Sequence, residues 1–314
     1  MRVFVAGAAG TLGRLVVRQL VQAGHEVVGS TSRRERAELI EKLGAEVAVV
    51  DALDAGAVRE AIGRARPEVV IELLSSLPRR LPPTEMRFAA ELSRRVRLEG
   101  GANIQSAAEA CGARRYIVAS AALCLAPGSG LADEATPFDF AAPPALVAEV
   151  RLCAEIERRA LNSPRIEGIA LRYGLFYGPG TWYWSDGEFA EQVRAQRTPL
   201  IGDGGGVWPW VHIEDAAAAT VAAIALGDPG PYLVTDDDPA RLRVWLPAFA
   251  RWVDAPPPPR IPASEDLEPG LVYFATRLRG ASNAKARRAL GFDPRPQLWL
   301  QPWRFGCPER PAEV

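Results

Sequence analysis

Three glycines near the start of the chain carry its most specific chemical pattern. Gly7, Gly10 and Gly13 follow the apolar run RVFVA and open an amphipathic stretch. In a strand–turn–helix setting, the first glycine permits a tight turn, the second lets the backbone approach a pyrophosphate, and the third allows the helix to pack closely on the strand. Free N–H groups at a helix N-terminus, here near Thr11 and Leu12, favour phosphate. The pattern therefore predicts a dinucleotide-binding loop.

The end of the second predicted strand indicates which dinucleotide binds. It reads GSTSRR, residues 29–34, and contains no carboxylate that could accept hydrogen bonds from an adenosine ribose. Ser32, Arg33 and Arg34 instead offer a hydroxyl and two guanidinium groups, and a guanidinium matches a phosphate bidentately. NADP(H) is thus favoured over NAD(H), with two solvated arginines at a helix start as the alternative. Asp51, ending the third predicted strand, is placed to meet the adenine.

An alternation of strands and helices must position these residues. Short apolar runs predict strands near 2–7, 25–31, 45–51, 68–74, 115–120 and 167–174. Helical periods separate them, including continuous helices from about 86 to 112 and from 144 to 161. Such alternation predicts right-handed crossovers and an α/β fold, a Rossmann-type doubly wound parallel sheet with helices on both faces.

The second half of the chain differs in composition and is rich in glycine, proline and tryptophan. We therefore expect a dinucleotide-binding domain over 1–174 and, over 175–314, mainly a smaller C-terminal substrate lobe. Segments near 201–235 are expected to return to the sheet. The lobe should lie over the carboxyl edge of the strands, where open α/β sheets bind ligands.

Composition excludes several classes of function. The 37 basic and 38 acidic residues nearly cancel, so the net charge does not predict binding of nucleic acid. No apolar run approaches the roughly 18 residues of a membrane span. Four cysteines without a CxxC pair and only two histidines argue against a metal site and indicate a reducing, cytoplasmic location.

Several motifs together resemble the extended short-chain dehydrogenase/reductase superfamily, within its NAD-dependent epimerase/dehydratase group. GAAGTLG is similar to its glycine motif, VVDALD to its third strand and RYIVAS to its catalytic-serine strand. LRYGLFYGPG resembles L-R-P-x-N-V-Y-G-P-G, and RGASNAKARRALGFDPR resembles the usual late segment. The resemblance also implies a homodimer formed through the helices near 86–112 and 144–161.

The resemblance implies a site for hydride transfer that this chain keeps only in part. Ser120 matches the family serine, which holds the substrate oxygen. In PPALVAEVRLCAE, Val147 stands where the proton-transferring tyrosine of Tyr-x-x-x-Lys belongs, and Arg151 stands where its lysine belongs. No lysine occurs between Lys42 and Lys285, so no other register restores the motif. The chain is an atypical member.

Reduction of a carbonyl by this site needs a replacement acid. Arg151 can hydrogen-bond a ribose and supply positive charge, but it does not deprotonate at working pH. Tyr173 and Tyr183 are the favoured candidates, because Tyr177 matches a family position that is usually packing. The alternative is that all three tyrosines are packing residues.

Tryptophans on two segments predict the substrate. Trp208 and Trp210 replace the R-D-F tripeptide with which sugar-nucleotide epimerases hold a diphosphate. Together with Trp182 they predict a site for an apolar or aromatic molecule. The alternative is that these indoles only seal the two lobes together.

Three functions stay open on the sequence alone. The favoured one is an NADP(H)-dependent oxidoreductase of a non-sugar carbonyl or alcohol, with Ser120 orienting oxygen and a non-standard proton donor. The second is a cofactor-holding enzyme without net redox output, such as an epimerase, dehydratase, cyclase or isomerase. The third is an NADP-binding sensor without catalysis. Each has a small molecule as its expected ligand.

Overall fold

A seven-stranded parallel sheet forms the centre of the molecule. The computed structural model describes residues 1–76, 83–297 and 299. The strand order is β11-β6-β5-β4-β1-β2-β3, and every neighbouring pair is parallel. The strands are β1 (Arg2–Ala6), β2 (Glu26–Thr31), β3 (Glu46–Val49), β4 (Val69–Glu72), β5 (Arg115–Ala121), β6 (Glu167–Tyr173) and β11 (Gly230–Val234). The doubly wound α/β fold is thereby confirmed.

Helices cover both faces of this sheet. The principal helices are α1 (Thr11–Gln22), α2 (Ala37–Glu41), α3 (Ala55–Ala65), α4 (Pro83–Arg95), α5 (Gly101–Ala110), α6 (Pro144–Leu161), α8 (Ile213–Ala222) and α11 (Ala284–Leu290). One hydrophobic core joins α1, α8 and α11 to the sheet, and another lies under α3, α5 and α6. Strands buried on both sides account for the nearly continuous apolar runs of the sequence.

The chain reverses direction across the sheet between β1 and β4. From β1 it first builds β2 and β3 on one side, and then β4, β5 and β6 on the other. Open sheets bind ligands at such a switch point, outside the carboxyl ends of the strands. The glycine loop leaves β1 at this point.

The smaller lobe has a hydrophobic core of its own, which short elements surround. These are the strands β7 (Leu175–Tyr177), β8 (Leu200–Ile201), β9 (Val207–Trp208), β10 (Trp210–His212), β12 (Ala240–Arg241) and β13 (Arg260–Ile261), and the helices α7 (Glu188–Arg194), α9 (Leu242–Trp252) and α10 (Pro269–Thr276). The strands pair two by two, and aromatic side chains fill the space between them and α6. The predicted boundary after residue 174 stays an interpretation, and positions 298 and 300–314 of the predicted lobe lie outside the described residues.

The helix predicted over 86–112 is interrupted in the structure. A π-helical turn, Val96–Gly100, separates α4 from α5, and Gly100 packs against Ala52. The turn carries Arg97, whose guanidinium reaches across to α6. Single π turns often occur at functional sites, and periodicity alone does not reveal them.

A buried ion pair ties α6 to the sheet. Arg172 on β6 donates to both carboxylate oxygens of Glu157 on α6, each at 2.9 Å. Ser120 on β5 donates to the same carboxylate at 2.6 Å. Both charged side chains are almost fully excluded from water, at 7% and 5% exposure. Breaking such a pair is costly because it leaves one buried charge without compensation.

We expect Arg172→Met to lower the free energy of unfolding by about 3–5 kcal/mol, because the Glu157 charge stays buried. Urea denaturation followed by circular dichroism measures the change. Arg158→Met is the matched control: its partner Glu155 lies on the same helix, and this pair is exposed. The control should cost less than about 1 kcal/mol. Equal effects of the two variants would contradict a structural role for the buried pair.

Candidate active site

The glycine loop is packed so closely that side chains are excluded from it. Gly7 has φ +82°, and a Cβ there would lie 2.5 Å from the carbonyl oxygen of Leu73. A Cβ at Gly13 would lie 2.3 Å from the carbonyl oxygen of Gly7. Backbone atoms cause both clashes, so neither position accepts a side chain without movement of the loop. The spacing of the glycines is therefore a requirement of this turn.

The N-terminus of α1 is free of side-chain caps. Gly10 holds the N-cap position in an extended conformation, and no side-chain cap is found there among the described residues. No acidic residue lies in the first turn either. Thr11 and Leu12 begin the helix, where N–H groups and the helix dipole favour an anion. These residues fit the pyrophosphate of a dinucleotide.

Two arginines lie unpaired at the end of β2. Ser32, Arg33 and Arg34 are exposed, and neither arginine makes an ion pair with another described residue. The Arg33 backbone N–H donates to Thr31 Oγ1 at 3.3 Å, which fixes the extended exit from the strand. Asp51 lies beyond the neighbouring strand β3, where its Oδ1 accepts from the Leu53 N–H at 3.0 Å. Two exposed guanidinium groups thus follow β2, the strand that pairs with β1 before the glycine loop.

Ser120 is buried, and its hydroxyl is already engaged. It donates to Glu157 Oε1 at 2.6 Å, toward the face of the sheet that α6 covers. The next residue, Ala121, packs instead against the core of the smaller lobe. The predicted role of Ser120 in holding a substrate oxygen stays a prediction. In this arrangement the hydroxyl can still accept a hydrogen bond but has no second proton to donate.

Val147 and Arg151 lie one turn apart on α6, as the sequence predicts. Val147 is half-buried against the lobe core, whereas Arg151 is exposed and makes no ion pair with the described residues. The buried face of the helix instead carries Val150 and Cys153. Arg151 is therefore available to a ligand, and Val147 offers no proton.

The sequence analysis missed a polar cluster beside this helix. Arg97 donates to Glu149 Oε1 at 2.5 Å and to the Ala119 carbonyl oxygen at 3.5 Å. Cys153 lies 3.9 Å from the guanidinium and contacts the Cys124 thiol. Burial opposes the charge on Arg97, but Cys153 and Glu149 raise its pKa above its ordinary value. Arg97 therefore stays charged and is paired with Glu149 near the end of β5.

The two candidate tyrosines lie in different places. The Tyr173 hydroxyl is 2.7 Å from Thr220 Oγ1, between the sheet and α8, and burial raises its pKa. Tyr183 is half-buried, packs edge-on against Trp210, and its pKa is also raised by burial. No hydrogen bond joins either one to Ser120 in the described parts of the chain. A raised pKa makes each a weaker acid, so the proton-donor prediction gains no support from the geometry.

The predicted substrate tryptophans lie mostly inside the lobe core. Trp208 and Trp210 stack with ring centroids 5.7 Å apart, and Trp210 is fully buried. Trp208 donates to the Phe274 carbonyl oxygen at 2.9 Å. Trp182 is half-buried on the preceding segment. These contacts agree with the lobe-sealing alternative, and direct contact with substrate stays a prediction.

His212 belongs to the scaffold of the lobe. Its Nδ1 accepts the Glu214 N–H at 3.2 Å and so caps α8. Burial, with Arg295 nearby, lowers its pKa to about 4. The imidazole is therefore neutral at working pH and makes a poor general acid.

Asp236 is a buried carboxyl group that no sequence motif marked. It accepts a hydrogen bond from Gln297 Nε2 at 2.7 Å and one from the Asp238 N–H at 3.2 Å. Burial raises its pKa to about 8. The signal that could have found it is the run TDDD after an apolar strand, a polar run at the carboxyl edge of the sheet.

Neither a membrane span nor a metal site is found in the described residues. None of their helices combines the length and apolarity that crossing a bilayer requires. None of their His, Cys, Asp and Glu side chains form a group of three or more suited to a metal ion.

Comparison with known proteins gives one family and several relatives. The model of the NAD dependent epimerase/dehydratase family matches residues 3–234. A Streptomyces sp. protein named 3-diazoavenalumate denitrifying reductase is 42% identical over 306 residues, covering 95% of this chain and 98% of that protein. The 2-alkyl-3-oxoalkanoate reductase of Stenotrophomonas maltophilia is 26% identical over 271 residues, covering 82% and 77%.

Solved structures share the fold at low sequence identity. The UDP-glucose 4-epimerase of Thermotoga maritima, crystallised with UDP-glucose, superposes with a TM-score of 0.72 at 18% identity, covering 96% of each chain. The UDP-glucose 4-epimerase of Thermus thermophilus, crystallised with NAD, gives 0.66 at 23% identity and covers 95% of this chain and 96% of its own. These likenesses concern the fold alone.

We expect the stability of the protein to fall by about 1.5 kcal/mol between pH 6.5 and pH 8 because of Asp236. Its carboxyl has a pKa of about 8 in the folded state, against about 3.9 in an unfolded chain, so the folded state binds more protons over this range. His212 acts in the opposite direction and offsets only about 0.4 kcal/mol of this loss, because its pKa is about 4 when folded and about 6.5 when unfolded, so the unfolded state releases the remaining proton over this range.

Thermal or urea unfolding at several pH values measures this slope. Asp236→Asn should flatten it, whereas Asp237→Asn, which changes a half-exposed neighbour paired with Arg287, should leave most of it in place, because burial and not Asp237 is the main cause of the raised Asp236 pKa. An unchanged slope in Asp236→Asn would show that another group titrates.

Proposed function

The chain belongs to the NAD dependent epimerase/dehydratase family, and from this premise we propose that it is an NADP(H)-dependent reductase of an apolar or aromatic, non-sugar compound. That the protein is an enzyme of the oxidoreductase type agrees with the reductase names of two relatives. Those names favour the first of the three functions over a non-redox enzyme or a sensor. Cofactor preference, substrate and mechanism are the content of the proposal.

The end of β2 supports NADP(H). Arg33 and Arg34 are exposed, make no ion pair with the described acidic residues, and follow β2, the strand that pairs with β1 before the glycine loop. A guanidinium fork binds phosphate with two parallel hydrogen bonds. When bound, the reduced nicotinamide supplies a hydride. Arg151 is available to the cofactor ribose, in the place where the family has lysine.

The observation that carries the proposal is the replacement of the family's proton donor by Val147. The tyrosines that could take over have raised pKa values, and Tyr173 is engaged with Thr220. A carbonyl becomes an alkoxide on hydride addition, and it needs an acid. A substrate that is already a cation does not. The site therefore fits a hydride acceptor whose reduction consumes no external proton.

An aryl diazonium ion is such an acceptor, and the 42% identical relative is named for a diazo substrate and a denitrifying reaction. Hydride attacks the terminal nitrogen with its electron pair and gives the aryldiazene, Ar–N=NH. Loss of N2 breaks the carbon–nitrogen bond and leaves that hydrogen on the ring as Ar–H. The diazonium is reduced by two electrons, and the overall balance contains no proton from the protein.

The neighbourhood of the site is compatible with this chemistry. Glu149 is partly exposed near the end of β5, and its pairing with Arg97 holds its carboxylate in place. Aromatic side chains of the lobe favour a flat substrate. A carbonyl substrate with Tyr183 as the donor is the second candidate, favoured by the name of the 26% identical relative.

We expect the purified enzyme with a substituted benzenediazonium and NADPH deuterated at C4 to release one N2 per NADPH and to place deuterium on the ring. Tyr183→Phe and Tyr173→Phe should keep kcat within about twofold, because no side chain donates a proton. A carbonyl reductase using Tyr183 would instead lose about 100-fold or more in kcat. The diazonium proposal would be refuted if the ring products carried hydrogen from solvent only and formed no faster than they do without enzyme.

We expect Arg33→Ala to raise KM for NADPH by about 10-fold or more and to leave KM for NADH unchanged, because only NADPH carries the 2′-phosphate. Arg34→Ala tests the second guanidinium. Arg36→Ala is the matched control, an exposed arginine of the same short 3-10 helix, Arg34–Arg36. Initial rates with both cofactors measure the effect, and equal changes for NADH and NADPH would contradict the assignment.

A further inference from the structure

Four aromatic side chains in the smaller lobe share an unusual property. The hydroxyl of Tyr177 and the indole N–H groups of Trp210, Trp245 and Trp299 are buried, and none of them has a hydrogen-bond partner among the described residues. We call these four residues the indole cluster. Gln297 Oε1, two positions before Trp299, is buried without a partner as well.

The members of the indole cluster are in direct contact. Trp210 lies with its ring centroid 4.9 Å from that of Trp245 and 5.5 Å from that of Trp299. Tyr177 meets Trp299 at 4.7 Å. Their exposed fractions are 2% or less. Four unsatisfied groups therefore lie within one continuous set of rings.

Four unsatisfied polar groups in one part of a core require an explanation. Buried Tyr and Trp usually find a partner for the hydroxyl or the N–H, and an unpaired buried donor costs about 1–3 kcal/mol. The neighbouring Trp208 follows this rule, because its N–H donates to the Phe274 carbonyl oxygen at 2.9 Å. The same core thus contains one satisfied indole beside three unsatisfied ones.

The unsatisfied groups define the chemistry of their missing partner. An indole nitrogen can only donate, and a phenol donates well, so the partner must accept hydrogen bonds. The surrounding rings favour a flat, apolar body. The cluster also belongs to the core that contains Val150 and Cys153 of α6, and so it adjoins the helix that carries Val147 and Arg151.

We propose that the indole cluster binds an oxygen-bearing end of the aromatic substrate, a carboxylate or an amide-type carbonyl, through its N–H and O–H donors. This rests on the proposed function only in identifying the ligand as the substrate of the reductase. In this proposal the ligand enters beside the half-buried Trp184 and Trp252, whose rings lie 5.1 Å apart; the Trp252 ring is 5.8 Å from that of Trp299.

Binding of unreactive probes tests the proposal without any turnover. Calorimetry on the full chain, without NADPH, compares cinnamate and cinnamamide with trans-β-methylstyrene, which has the same flat body and no oxygen. At least one oxygenated probe should bind about fivefold or more tightly than the hydrocarbon. Which of the two binds distinguishes a carboxylate from a neutral carbonyl.

Trp210→Phe and Trp245→Phe remove an N–H and keep an aromatic ring. Each should lower the affinity for the oxygenated probe by about fivefold to tenfold, the effect of one hydrogen bond, and leave the affinity for the hydrocarbon nearly unchanged. Trp208→Phe is the matched control, since its N–H is already bound to the protein; it should not change the ratio of the two affinities. Melting temperatures of all variants show that each is folded.

Two results would overturn the proposal. One is an affinity ratio that is the same in the parent and in both cluster variants, as expected if only water fills the unsatisfied positions. The other is an absence of binding by every probe to the folded parent. Failure of the diazonium and carbonyl assays, with oxygen-dependent binding intact, would refute the proposed function and leave this site standing.

Discussion

The Glu157 carboxylate is the interaction on which the arrangement of the site depends. It accepts hydrogen bonds from Arg172 on β6 and from Ser120 on β5, while it is itself part of α6. Arg172 continues the link, because it also donates to the Glu134 carbonyl oxygen and lies 5.0 Å from the Phe138 ring. A buried charge is tolerated only when its hydrogen bonds are satisfied, so this carboxylate fixes two strands, one helix and a loop relative to one another.

With α6 held in this way, the positions that the sequence analysis assigned to a hydride-transfer site lie on one fixed helix beside β5. The helix presents Val147 and Arg151 at the expected spacing, while Arg97 and Glu149 form an ion pair near the end of β5. The ion pair and the hydrophobic walls of the lobe can orient a reactant, but they transfer no proton. Such a site suits a reaction in which the driving force lies in the substrate, as in the loss of N2.

The parts of this structure that the sequence predicted are the local ones. Glycine spacing, strand alternation and the order of motifs follow from neighbouring residues, and they predicted the glycine loop and the doubly wound sheet. Side-chain partners were not accessible in the same way. Tyr173 meets Thr220 across 47 positions and Asp236 meets Gln297 across 61. On a strand, moreover, a shift of one residue exchanges the two faces, so the sequence could not place Ser120 toward α6.

The tryptophans of the lobe can serve packing and binding together. An indole in a core has two needs: the ring must fill space, and the N–H must be paired. Trp208 meets both needs within the protein, whereas Trp210, at 5.7 Å in the same stack, meets only the first. A residue can therefore be fully buried in the lobe core and still have one group left for a ligand.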